Sequence, residues 1–504
     1  MSEKYDYDVC IAGSGPAGAF TANLLAKHGY KVVVVEAGSD LVNSNVDDNF
    51  DLENSNLQDS INFGFSKQVG GSSNLWSGAL VEMDEIDLKS RPEYNFLSWP
   101  VDKYELRLLY KRVAEIIGIG KSDNRINKTV SDNVQDLMDS SNLDFREAIW
   151  MKSPFKTRTL IENTVNITIK KNHEVCGLKL DKRKTAISAM QAFNTETATY
   201  VDIKAKRFVL AAGAISNIRV LLHSLKALSP SNDTLLGLIG SGFSTHPKGN
   251  VGKIKFTKNV TENSPFLRIV RSKSGSIRTY FGFNEKYLKK HNLLNHCLRV
   301  ESVYALRMMR YLDFLKNLVS WLPPIKNNTR FMDLIISLGV KVFRGLEKIT
   351  PSAGADGFYE VRGFFDQASK KDNKISLSSK TSVSGLPLAK IDWKYDDNDW
   401  ENVDRFMLLI KEELMHRNIG HFDYSRPTDS EFTGIHSHFL GGTRAGDSPA
   451  DSVVDSNLKV HGLSNIYISG PSVFPSFGHA NPFFSIAALS VRLSDHLNSV
   501  LKDS

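Results

Sequence analysis

Three glycines, Gly13, Gly15 and Gly18, with an acid at Glu36, have the spacing that holds a dinucleotide. Side chains at these glycines would obstruct a tight turn, the approach of a pyrophosphate and the packing of a helix on a strand. A helix opening at Pro16 and Ala17 would turn the positive end of its dipole toward the phosphates. Glu36, followed by Ala37, stands where a carboxylate can accept hydrogen bonds from an adenosine ribose, and it would repel a 2′-phosphate. The pattern does not separate NAD from FAD. Thirteen histidines are available for proton transfer, and spacing alone chooses none of them.

The elements that must carry these residues read as a βαβ unit. Asp8 to Ala12 is a short, continuously apolar strand, Ala17 to Lys27 is a helix closed by Gly29, and Val32 to Val35 is a second strand. A glycine pair, Gly70-Gly71, precedes Ser72-Ser73-Asn74-Leu75-Trp76-Ser77, and a helix rich in Leu and Tyr follows Pro100. Strands are expected at Val165 to Ile169, at Gly177 to Leu180 and from Val201. Phe208 to Gly213 reads as a buried parallel strand feeding a helix from Ile215 to His223. Past about residue 250 come alternating strands, a Leu- and Arg-rich helical region over Val303 to Ile349, and strands to Trp393. Ile466 to Ile468 and a helix from Phe483 to Leu497 return to the first texture. Residues 1–250 and 435–504 are therefore expected to form one domain, with residues 251–434 inserted as a second.

Three further stretches resemble the glucose-methanol-choline (GMC) oxidoreductase family. They are Gly70 to Trp76, Val209 to Ile215 with Ala212 and Gly213, and the tail from His438-Phe-Leu-Gly-Gly-Thr-Arg through Gly470 to Asn481-Pro482. The resemblance spans nearly the whole chain, is most specific at the tail and weakens between about residues 260 and 350. It implies an α/β fold: a discontinuous Rossmann-like FAD-binding domain with an inserted α+β substrate-binding domain on a mainly antiparallel sheet. It also resolves the cofactor as FAD. Relatives that bind FAD covalently use a histidine where this chain has Leu75, so the FAD is expected to be non-covalent.

Oxidising an alcohol removes a hydroxyl proton and a carbon-bound hydride, so a base must lie beside the flavin. The resemblance gives His438 that role. It gives Asn481 the role of an amide donor to the developing alkoxide, a His-Asn pairing similar to pyranose oxidases and bacterial FAD-dependent sugar dehydrogenases. Pro482 suits the start of the last helix because a first turn leaves its missing donor unused, and that helix end would favour negative charge on the flavin. His246-Pro247 matches a family landmark to which a structural role is assigned. His479 is read as an exposed loop residue within reach of the substrate pocket, and Phe365, Gln367 and Phe484 are candidate pocket walls. Ala445 and Phe483-Phe484-Ser485 depart from the family's usual residues, so the pocket floor is expected to differ.

The expected activity is thus FAD-dependent oxidation of an alcohol, as a dehydrogenase or oxidase, on a sugar, glycoside or polyol, with an unidentified electron acceptor. The alternative on this scaffold is redox-neutral or light-driven chemistry of the hydroxynitrile lyase or fatty-acid decarboxylase type. Composition bounds the rest. At 504 residues the chain exceeds one ordinary core. Its 41% hydrophobic and 24% charged residues exclude a disordered or fibrous protein. The 63 basic and 56 acidic side chains are interleaved, which argues against a nucleic-acid partner. Cys10, Cys176 and Cys297 have no paired spacing, so neither a metal nor a redox dithiol is expected. The polar start, Met1 to Asp8, leaves no room for a secretory signal, and no apolar run reaches the roughly 18 residues of a spanning helix. A cytoplasmic location follows. Residues 304–349 mix Leu, Phe, Met and Trp with Arg and Lys, so peripheral contact with a membrane or a redox protein is weighed against an ordinary amphipathic helix pair.

Overall fold

A computed structural model of the chain describes residues 5–40, 50–51, 65–119, 142–226, 233–258, 260–271, 273–303, 351–428, 432 and 438–503. The expected helical region at 304–349 lies outside them.

A five-stranded parallel sheet carries the opening glycine turn. Its order is Ile466–Ile468, Ala205–Leu210, Tyr7–Ala12, Val32–Val35, Ile167–Lys170. Every neighbouring pair runs parallel. The inner strands carry continuous apolar runs such as Val32-Val33-Val34-Val35, all four buried, which suits a sheet covered on both faces. Tyr7–Ala12 lies between Val32–Val35, which follows it directly, and Ala205–Leu210, which returns much later in the chain. The connections therefore diverge from its carboxyl end, and a crevice opens where they part. The first strand of the order, Ile466–Ile468, comes from the tail, so this sheet is built from both ends of the chain.

Helix Pro16–Lys27 packs against helix Phe483–Lys502, which also packs against Lys103–Ile116. The tail helix runs five residues beyond the expected Leu497, and Leu501 in that extension is buried. Beside the parallel sheet stands a three-stranded antiparallel sheet, His173–Leu180, Ile187–Asn194 and Thr199–Ile203.

The second sheet has eight strands, paired antiparallel throughout: Gly420–Tyr424, Lys248–Phe256, Tyr359–Phe364, Cys297–Glu301, Gly275–Phe283, Leu143–Met151 and Ala79–Val81, with Ile269–Arg271 at one side. Two of these strands, Ala79–Val81 and Leu143–Met151, come from the part of the chain expected in the cofactor domain. Helix Asp397–His416 packs on Gly420–Tyr424. It opens on Asp396, whose carboxylate accepts from the Asn398 and Asp399 amides, a cap worth about 1 kcal/mol. Two apolar cores result. One surrounds the parallel sheet; the other includes Phe281, Phe283, Leu298, Val300, Val361, Phe365, Phe406, Met407 and Ile410. Among the described residues no helix is long and apolar enough to cross a membrane.

Candidate functional site

The crevice at the end of Tyr7–Ala12 is a long cleft of about 1310 Å³, counting its part open to solvent. Gly13, Ser14, Gly15, Pro16 and Ala17 form one wall, Glu36 and Ala37 another, and Ala211, Ala212 and Gly213 a third. Gly71 reaches it from the glycine-pair loop; Gly470, Pro471 and Pro482 reach it from the tail.

Each glycine of the turn is required for a separate reason. Gly13 has φ +94°, and a Cβ there would lie 2.6 Å from the Ala211 carbonyl oxygen. A Cβ on Gly18 would lie 2.0 Å from the Gly13 carbonyl oxygen, so the helix can sit this close to the turn only without it. Gly15 differs: a Cβ there would meet no protein atom within 4 Å. Its openness faces the cleft, and it leaves backbone bare where a pyrophosphate would approach the helix start.

Glu36 ends its strand inside the same wall. Its Oε2 accepts from the Ser14 amide at 3.0 Å and the Ser14 hydroxyl at 2.5 Å, and Oε1 accepts from the Gly38 amide at 2.9 Å. Ser14 Oγ in turn accepts from the Gly70 amide at 3.0 Å, joining the two glycine loops. A carboxylate has about four acceptor sites, so these three bonds leave capacity for a ribose hydroxyl. Burial raises the Glu36 pKa against the Ser14 and Gly38 bonds that favour its charge.

His438 lines the cleft. Its neighbour Leu440 exchanges both backbone hydrogen bonds with Ser244, each 2.9 Å. In an antiparallel pair that register sets position 438 opposite position 246, with both side chains on one face. The imidazoles do meet: His246 Nδ1 lies 3.2 Å from His438 Nδ1, the ring planes at 89°. His246 Nε2 lies 3.1 Å from the Phe477 carbonyl oxygen. Burial pulls the His438 pKa well below the ordinary imidazole value, and His246 and Lys248 push it the same way. Burial likewise takes His246 down to about 3, against the Phe477 bond. Both rings are therefore neutral at pH 7, the form in which an imidazole can accept a proton.

Among the other expected cofactor residues, Gly70 precedes a 3-10 turn, Gly71–Asn74. Asn74 closes that turn through its side-chain amide, which donates to the Val69 and Gly71 carbonyls at 3.0 Å each. Trp76 donates to the Phe155 carbonyl at 2.9 Å and stacks on Phe483 at 3.8 Å. Leu75 and Ser77 are half-buried in the same loop. Asn481 is half-buried directly before Pro482.

The candidate pocket walls lie elsewhere in the packing. Phe365 is wholly buried in the second core beside Trp400, Phe432 and His296. The Gln367 amide is also wholly buried. It accepts from Ser244 and Trp393 and donates to the Lys394 carbonyl and Asp399, so it braces Ser244, two residues before His246. Phe484 stacks on Tyr110 at 4.2 Å.

The expectation of an exposed His479 is corrected: the residue is 4% exposed. Neither ring nitrogen has a hydrogen-bond partner, and Nδ1 lies 3.9 Å from Asp84. The loop folds inward because Gly478, at φ +59°, seats it against Asp87, where a Cβ would fall 2.4 Å from a carboxylate oxygen. Asp84, Asp87 and His479 offer donor atoms within 4.8 Å of one another. The two carboxylates already take hydrogen bonds from Arg146 and Asn295.

Sequence reasoning missed the remaining lining, including Phe65, Lys67, His173, Val175 and Arg219. It also assigned His246 to structure alone. No short motif marks these positions; only the 244-to-440 pairing brings His246 to His438.

The cofactor is FAD, and the cleft at the carboxyl ends of the parallel strands is the candidate place for it. Residues 6–45 match an FAD binding domain, and residues 369–490 match GMC oxidoreductase. Over residues 369–490 the chain is similar to the GMC oxidoreductase family. It is 36% identical over 133 residues to 6'''-hydroxyparomomycin C oxidase of Streptomyces lividus, covering 26% of this chain and 23% of that protein. It is 34% identical over 121 residues to paromamine 6'-oxidase of Streptomyces fradiae, covering 24% and 22% respectively. The chain thus matches under a quarter of these curated relatives' length. In structure it resembles pyridoxine 4-oxidase from Mesorbium loti, with a TM-score of 0.57, 14% identity and coverage of 97% of this chain and 99% of that one.

Proposed function

We propose that this protein oxidises an alcohol, with His438 taking the hydroxyl proton and the substrate being a sugar, glycoside or polyol. The observation that carries the reading is that His438, held neutral, lines the same cleft as the glycine turn. FAD, when bound there, accepts the hydride. The chain's residues supply the rest. Gly15 and the start of helix Pro16–Lys27 receive the pyrophosphate, and Glu36 offers its spare acceptor capacity to the ribose. His438 accepts a proton from the substrate hydroxyl as the carbon–hydrogen bond breaks. The Asn481 amide donates to the oxygen as negative charge develops on it. This is the His-Asn pairing of pyranose oxidases and bacterial sugar dehydrogenases.

Names among the relatives, the paromamine and hydroxyparomomycin oxidases, support a substrate of the sugar class. Leu75 offers no nucleophile, which supports a dissociable FAD. The three cysteines are buried and free, which supports action in a reducing compartment, the cytoplasm. An anaerobic screen of sugars, glycosides, polyols and aliphatic alcohols tests the proposal. At least one is expected to bleach the bound flavin, and readmitting air or adding an artificial acceptor should then distinguish an oxidase from a dehydrogenase. A flavin left oxidised by every alcohol, or reduced only under light, would contradict the reading.

A further inference from the structure

We propose that His246 is a positioning residue that fixes the tautomer of His438, keeping its proton on Nδ1 and leaving Nε2 bare in the cleft. The inference deepens the reading of His438 as the base and rests on it. It follows from where protons can reside. The Phe477 carbonyl oxygen can only accept, so the 3.1 Å contact requires the His246 proton to be on Nε2. A neutral imidazole carries one such proton, so His246 Nδ1 presents a lone pair. That lone pair faces His438 Nδ1 at 3.2 Å, and a hydrogen bond between them needs His438 to donate. With its one proton on Nδ1, His438 has Nε2 free to accept another.

The surroundings enforce this arrangement. His246 is 7% exposed and is held from two sides: the Ser244–Leu440 bridge fixes the backbone two residues away, and Pro247 gives its carbonyl to the Phe365 amide at 2.9 Å. Besides His438 itself, Lys248 and His479 are the charged or titratable neighbours that act on it, and both oppose a second proton on its ring. The opposite tautomer of His438 would set two bare Nδ1 lone pairs against each other and turn an N–H toward the substrate, where it could not act as a base. This is the logic by which a fixed partner selects the working tautomer of a catalytic histidine.

The test uses the FAD-loaded enzyme labelled with nitrogen-15 in histidine, with the His438 resonances identified by their loss in His438→Gln. At neutral pH, Nδ1 of His438 is expected to be protonated and Nε2 unprotonated; the reverse assignment overturns the proposal. This readout needs no substrate, so it decides the proposal even if no alcohol reduces the flavin, an outcome that would count against the alcohol-oxidation reading alone. Kinetics give a second arm. His246→Leu removes the acceptor and is expected to lower the flavin reduction rate at saturating alcohol by about tenfold or more, with KM little changed. His246→Asn, whose side-chain oxygen can occupy the Nδ1 position, is expected to restore most of the rate. If both FAD-loaded variants are equally slow, or His246→Leu matches wild type, the positioning role is wrong.

Discussion

Gly15 and Gly18 stand three residues apart and lack a side chain for opposite reasons. Gly18 is confined by protein, because a Cβ would fall 2.0 Å from the Gly13 carbonyl oxygen. Gly15 is bounded by cleft alone, and its φ of −64° suits any residue. Gly15→Val is therefore expected to fold with wild-type stability as apoprotein yet fail to retain FAD. Gly18→Ala is expected to lose about 1–3 kcal/mol or more through overpacking, whether or not FAD is present. Thermal melting and flavin absorbance of the two variants check both outcomes, and a Gly15→Val protein that stays yellow would contradict the cleft assignment. Gly13, Gly15 and Glu36 could be singled out by motif spacing, and His438 and Pro482 only by the resemblance of the tail; all five line the cleft. His246 was not, since its partner lies 192 positions away and no local pattern encodes an antiparallel bridge. His479 misled for a related reason: a histidine beside glycine reads as an exposed loop, and only the Gly478–Asp87 approach shows the loop folding inward.

At the scale of elements, the parallel sheet is most legible where its strands carry buried apolar runs, as in Val32–Val35 and Ile466–Ile468, and least so at Ile167–Lys170, where Thr168 and Lys170 interrupt the pattern. The eight-stranded sheet was only partly legible. Leu143–Met151 has an irregular burial pattern, and Ala79–Val81 is too short for alternation to register. Leu143–Met151 is placed by pairing with Gly275–Phe283, far along the chain, and Ala79–Val81 by pairing with Leu143–Met151. That sheet holds a buried charge cluster: Glu301 pairs with Arg278, 3.0 Å away, and with Arg299, and all three side chains are 2% exposed. Burial works against the Glu301 charge, yet Arg278, Arg299 and Arg362 hold its pKa below the ordinary value. Glu301→Gln keeps the shape but leaves the guanidiniums without their counter-charge. A loss of about 3–5 kcal/mol is expected in urea unfolding, and a loss under 1 kcal/mol would show the cluster to be dispensable.

Across the whole molecule, the lobes meet where buried histidines collect. Burial takes His296, like His246, down to about 3; it takes His479 down to about 4 despite Asp84, and it depresses His438 as well. The unfolded chain binds protons at these four positions from about pH 6.5 downward, whereas the folded chain does not. Their contribution to stability therefore falls as pH drops from about 6.5 toward 4. Six acids among the described residues oppose this, Glu36, Asp144, Glu147 and Asp399 included, each raised by burial. Burial lifts Asp366 to about 7, and burial with Asp84 and Asp366 nearby lifts Asp87, so these two favour folding as pH falls. The histidine contribution is therefore read by difference: His479→Gln is expected to lose less melting temperature than wild type between pH 6.5 and 4.5, and an identical decline in the two would contradict a buried, neutral His479.

The account turns on His438 as the group that removes the substrate proton. Anaerobic single-turnover reduction of the bound flavin by an active alcohol, compared between wild type and His438→Ala, tests it most directly. The variant is expected to retain FAD and to be reduced about 100- to 10,000-fold more slowly. A His438→Ala enzyme that keeps its flavin and is reduced at the wild-type rate would contradict it.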